Sequence, residues 1–264
     1  MFKALFLALN VRPNEEKQVL LLLGQGFFMG VFLATFQITA ETLFLSRLQE
    51  YLKEAILCSG FLGIITTALF SYLQNRVSFR KLALGNLALI FLFVATIYAS
   101  FHYGDPAYQE PLIFLSFALI GPILAVTLLG FWGTFGRLFD LRQSKRIIGG
   151  IDIGQLMAAI ITSFSFPFLQ TLIPETTNYL LVSCISISIS FIFLFILTSK
   201  FDLSKAELST VKEEEIGTGL KSLAGNKYVR LLSIFLLFSM VTFTFIQFSF
   251  QDVVTIQYPG EDEL

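Results

Sequence analysis

Seven long apolar stretches punctuate this chain, near 19–41, 55–74, 82–101, 111–133, 147–173, 178–198 and 231–250. A helix needs roughly 20 such residues to cross the hydrocarbon core of a bilayer. In hydrocarbon every backbone N–H and C=O must find a partner inside the protein. Stretches of this length and spacing satisfy that demand as helices. The expected fold class is an all-α polytopic membrane protein with about seven transmembrane helices. Composition agrees: 55% of the 264 residues are hydrophobic and only 14% are charged, against about 25% in soluble domains. An enzyme needs polar groups converging on a site, and so few are present that no enzymatic activity is expected.

The formal net charge of −1 hides a strong segregation. Arg76, Arg80 and Lys81 follow the second stretch, and Arg137, Arg142, Lys145 and Arg146 follow the fourth. Lys200, Lys205, Lys212, Lys221, Lys227 and Arg230 follow the sixth. The connections after stretches three and five carry no Lys or Arg, and the one after the first carries Arg47 and Lys53. Basic loops stay in the cytoplasm, so the N-terminus is expected there too. Cys58 and Cys184 lie inside apolar stretches, where a disulfide framework is not expected. His102, the one histidine, has no neighbouring ligand type, so no metal site and no cofactor are expected. A nucleic-acid partner is not expected either.

The organisation follows from these stretches. Residues 1–18 read as a cytoplasmic interfacial segment, with Phe2, Leu5, Phe6 and Leu9 on one helical face. Residues 19–198 read as a six-helix transmembrane bundle, 199–230 as a charged cytoplasmic linker, and 231–264 as a seventh helix with an outer tail. An internal echo relates the first and seventh helices. Phe36-Gln37-Ile38-Thr39-Ala40-Glu41 matches Ile246-Gln247-Phe248-Ser249-Phe250-Gln251. The two helices are therefore expected to be equivalent members of two halves, with the chain stopping before the rest of the second half, Tyr258–Leu264 forming its end.

Polar groups inside a bilayer are costly and point to function. Gln37 and Glu41 share a helix face. With Thr39 beside them and Gln247 and Gln251 on the seventh helix, they are the candidate substrate-binding residues. Asp252 faces the same space in this reading, and the competing reading of Glu41 is a hydrated residue at the membrane surface. Asp152 and Gln155 lie early in the fifth helix. Asp152 is expected to pair with Arg137, Arg142, Lys145 or Arg146, as an inner-face gate or as a static anchor. Gly26-x-x-x-Gly30 and Gly150-x-x-x-Gly154 are packing signals. Pro122 and Pro167 are expected to bend or open their helices. Gly149-Gly150-Ile151-Asp152-Ile153-Gly154 lacks the strand and the spacing of a phosphate loop.

Several segments carry a resemblance. Ser71-Tyr72-Leu73-Gln74-Asn75-Arg76, closed by Phe79-Arg80-Lys81, resembles the basic loop between spans two and three of the major facilitator superfamily, with Asn75 where Asp is usual. Phe131-Trp132-Gly133, then Phe139-Asp140-x-Arg142-Gln143-x-Lys145-Arg146, then Gly149-Gly150 and Gly154, is similar to the region of spans four and five in the ATP/ADP translocase-like nucleotide transporters of that superfamily. Val11-Arg12-Pro13-x-Glu15-Glu16-Lys17, leading to Glu41-Thr42-Leu43-Phe44-Leu45, resembles bacterial members of the branch. The resemblance implies a major-facilitator-like bundle of twelve spans, here six plus one. It implies a bacterial inner (plasma) membrane and secondary transport by alternating access, with a nucleotide or related metabolite as the small-molecule substrate. Its partners would be the lipid bilayer and the missing C-terminal half. Two family features are absent: Ala40 stands where a Lys is usual, and Ala118-Leu119-Ile120-Gly121 where an acidic residue is usual. The competing expectation is a non-transporting membrane anchor or sensor for appended cytoplasmic domains.

Overall fold

A computed structural model describes residues 11–201, 203 and 225–257. The interfacial segment 1–10, most of the linker and the tail 258–264 lie outside the described residues. The chain divides between Ser204 and Lys205 into two units.

The described residues of the first unit form seven α-helices: α1 (Glu16–Leu48), α2 (Leu52–Gln74), α3 (Phe79–Tyr103), α4 (Gln109–Ala118), α5 (Ile120–Leu138), α6 (Leu141–Leu172) and α7 (Tyr179–Lys200). The second unit holds α8 (Lys227–Gln257). The described residues contain no β-strand. Each expected apolar stretch falls largely on helix, the fourth across a turn at Leu119. Six segments are long and apolar enough to cross a membrane. The first of them covers 59 residues, Glu16–Gln74, or about 88 Å at 1.5 Å per residue. That is far more than one ~30 Å crossing. A 3₁₀ turn at Gln49–Tyr51 divides it into α1 and α2.

The surface is apolar where a soluble protein would be polar. Leu57, Phe61 and Ile64 on α2 are 65%, 67% and 70% exposed, and Phe164 and Phe168 on α6 are 77% and 76% exposed. Water-soluble chains do not tolerate such belts, whereas lipid does. The cations respect the same boundary. Every Lys and Arg in the described helices lies in the first or last two turns, where long side chains reach the interface.

Spans one, two and three of this unit are α1, α2 and α3; spans four, five and six are α4–α5, α6 and α7. The packing has an internal symmetry. α1 packs on α6, and α2 packs on α4 and α5; α1 packs on α7, and α3 on α5; α3 also packs on α7, and α1 on α4. Exchanging the first three spans with the last three maps each pairing onto another or onto itself. Two interior clusters follow. One gathers Phe32 and Phe36 of α1, Ile90 and Val94 of α3, and Leu180 and Ile187 of α7. The other gathers Leu22 and Met29 of α1, Phe131 and Phe135 of α5, and Ile147 and Ile151 of α6.

Glycine decides how closely α1 and α6 approach. A Cβ on Gly30 would sit 2.6 Å from the Gln155 carbonyl oxygen, and one on Gly154 3.3 Å from that of Leu23. Gly26 leaves room for the Phe131 ring. The fourth span is two helices, broken at Leu119. Pro122 offers no N–H to the Ala118 carbonyl and its ring crowds that oxygen, so the helix opens one turn before the proline. Pro167 sits inside α6 without ending it.

Candidate functional site

On α1 the candidate pair is formed. The Gln37 Nε2 donates to the Glu41 Oε1 at 3.0 Å, and both residues are half-buried. Residues four apart on a helix lie one above the other, which is why these two meet. Thr39 does not join them. Two positions turn a helix by about 200°, so Thr39 faces the interior, buried, and its hydroxyl donates to the Thr35 carbonyl at 2.7 Å. In the second unit Gln247 is half-buried, Gln251 is buried and Asp252 is exposed.

The basic residues near the start of α6 are arranged differently from the expectation. Asp152 is half-buried and makes no hydrogen bond or ion pair among the described residues. Six residues separate it from Arg146, which places the two about 120° apart around the helix; Arg142 is ten residues away, about 15 Å along the axis. Arg146 turns instead to Glu15, its Nη2 lying 2.7 Å from both carboxylate oxygens. Glu15 is almost fully enclosed, its side chain 5% exposed. It also accepts from Gln143 Nε2 at 2.9 Å and from the Arg12 backbone N–H at 3.1 Å. Gln143 Oε1 in turn accepts from the Asp140 N–H at 2.9 Å, capping the start of α6. Arg137 lies 3.8 Å over the Phe79 ring and donates to the Gly133 carbonyl at 3.2 Å. Arg142 and Lys145 are exposed. The clasp at this end of the bundle thus joins the approach to α1 with the first turns of α6, and Glu15 is its acid.

A second polar feature runs between α1 and α7. The Thr35 and Ser183 hydroxyls are 2.7 Å apart and buried, and Ser190 donates to the Gln25 carbonyl at 3.2 Å. Ser183, Ser186 and Ser190 are all buried. Their spacing of three and four residues is a one-face helical pattern, the signal in the sequence that marks this seam. Gln25 itself is 2% exposed, and its Oε1 has no hydrogen-bond partner among the described residues; the same holds for the Thr127 hydroxyl on α5.

His102 bridges the Tyr98 carbonyl and Asn178 Oδ1, both at 3.1 Å. Cys58 and Cys184 are free thiols. Among the described residues no group of three His, Cys, Asp or Glu is close enough to hold a metal. What the first unit offers is a polar pair on the half-buried face of α1, an ionic clasp at one end, and a hydroxyl seam inside. No family model matches the chain, and neither curated proteins nor solved structures contain a significant match.

Proposed function

We propose that this chain is the transmembrane part of a secondary transporter that works by alternating access, of the major facilitator type and near the ATP/ADP translocase-like branch. The observation that carries the reading is the symmetry of helix pairing within the first six spans. Transporters of this kind are built from repeats of three helices whose bundles rock around a central site. The Gln37–Glu41 pair on α1 is the substrate-contacting element, and Gln247 and Gln251 are its counterparts on α8. The Glu15–Arg146 clasp closes the cytoplasmic end in one state and loosens in the other. In this reading the N-terminus is cytoplasmic and the membrane is a bacterial inner membrane.

The substrate is a small polar molecule, with nucleotides and related metabolites first in the panel. The test is uptake of labelled substrates by vesicles carrying the full-length protein. Glu41→Gln is expected to lower uptake at least tenfold while leaving protein levels unchanged. No uptake across the panel sinks the transporter reading.

One observation favours a second reading. All described helical Lys and Arg sit at helix ends, leaving no cation deep in the described helices to meet a phosphate tail. A membrane anchor or sensor for cytoplasmic domains needs none. Vesicles that show no uptake, combined with a signal lost when the membrane part is exchanged for an unrelated bundle of equal span count, would favour this reading.

A further inference from the structure

α2 and α3 are joined by a short turn yet touch little along their lengths. Between them lies an apolar groove of about 500 Å³, walled deep down by Leu119, Pro122, Ile123 and Val126 of the broken fourth span. Leu69 and Leu89 line it and are 53% and 68% exposed, so it is open on its outer side. Gly85 on its wall has nothing within 4 Å of where a Cβ would stand. Asn86 is committed to its floor, donating to the Val126 carbonyl at 3.3 Å.

One end of the groove is charged. Lys81 lines it and is exposed, with no hydrogen bond or ion pair among the described residues. Its basic neighbours are engaged elsewhere: Arg80 donates to Ser199 Oγ at 3.0 Å, and Arg76 stacks on the Tyr72 ring. From Lys81 to Phe93, the two lining residues farthest apart on α3, the helix rises about 18 Å. That is close to half of the ~30 Å hydrocarbon core, the depth of one leaflet.

We propose that this groove is a binding site for an anionic phospholipid. One acyl chain fills the cleft between α2 and α3, and the headgroup phosphate sits on Lys81. The three observations converge. The groove opens sideways on a surface whose apolar belts face lipid, its length matches one leaflet, and its only cation among the lining residues stands at the end where a headgroup lies. Basic pockets between transmembrane helices recognise such headgroups by charge. A neutral lipid fills the same cleft without the ionic contact, so the site is selective for charge rather than chain. A bound chain also wedges α2 from α3, next to the Leu119 break.

The test uses the full chain in nanodiscs of phosphatidylcholine with a minor share of phosphatidylglycerol. Native mass spectrometry then counts the lipids retained on the protein. Phosphatidylglycerol is expected to be enriched several-fold over its share in the disc. Lys81→Gln should remove the enrichment while total lipid retained stays the same; Lys53→Gln, outside the groove, should keep it. Gly85→Phe should displace both lipids, and Leu89→Trp one turn further on repeats the block should Gly85→Phe fail to fold. Enrichment unchanged in Lys81→Gln overturns the headgroup assignment, and retention unchanged in both filling variants overturns the groove. A dimer mass that the filling variants abolish identifies a second copy of the chain as occupant and overturns the proposal equally.

Discussion

α1 and α8 have nearly the same length, 33 and 31 residues, and both are rich in phenylalanine. Their settings differ: α1 lies within the packed helices of the first unit, whereas α8 is the one helix among the described residues of the second. On α1, Phe32, Phe36 and Phe44 are at most 1% exposed; on α8, Phe235, Phe238, Phe243 and Phe245 are 64–70% exposed. Hydrophobicity does not separate them. In lipid an apolar side chain gains nothing from water by packing on a neighbour, so helix association rests on close approach and on polar contacts. α1 has Gly24, Gly26 and Gly30 to bring backbones together, Thr35 to bond Ser183, and Glu15 just before its first turn to bind Arg146. α8 has no Gly and no Ala. Within the first unit, close approach at glycine and a few polar contacts, rather than hydrophobicity, account for how α1 is held.

Breaking the contrast at its strongest point means removing the clasp. Glu15→Ala removes the buried carboxylate that Arg146, 18% exposed, and the Gln143 amide share. A broken buried pair costs about 3–5 kcal/mol, and the expected result is a large fall in unfolding midpoint in detergent, only partly restored by the double variant Glu15→Ala/Arg146→Met. An unchanged midpoint would mean that the clasp does not hold α1 to α6.

Gly30→Ala comes next. The new methyl meets the Gln155 backbone oxygen at 2.6 Å, and backbone gives way less readily than a side chain. Overpacking of this kind costs about 1–3 kcal/mol. Ser239→Ala on α8 changes a residue of similar size on an open helix and is expected to leave the midpoint in place. Equal losses from the two variants would erase the distinction drawn between the helices. The smallest effect is expected for Thr35→Val, which removes the hydroxyl shared with Ser183. Interhelical hydrogen bonds in membranes average about 0.6 kcal/mol. A double-mutant cycle with Ser183→Ala measures that coupling, and a value of zero would show that the seam contributes nothing between α1 and α7.

Much of the fold was legible because its signal is local. Roughly 20 apolar residues in a row can be counted without knowing their neighbours, and each such run lies largely on helix. Gln37 and Glu41 meet because they are four apart on the same element. An opening was expected at Pro122, and the break lies at Leu119, because a proline disturbs the turn that precedes it. The errors are of another kind. Asp152 was matched to the nearest cations in sequence, but six residues along a helix is not adjacency. The true partner of Arg146 is 131 residues away, and nothing in the local pattern around Glu15 distinguishes it from Glu16.

The sequence by itself determined that the described segments are helical, which of them are apolar, and where their charged ends fall, since the bilayer imposes those terms on each segment separately. Only the tertiary structure decided that Glu15 rather than Asp152 takes Arg146, that Ser183 meets Thr35, and that α2 and α3 stand apart around a groove ending at Lys81. Those outcomes depend on which helix faces are brought together. In a medium where all apolar faces are equally comfortable, close approach at glycine and the pairing of a few polar groups choose among them.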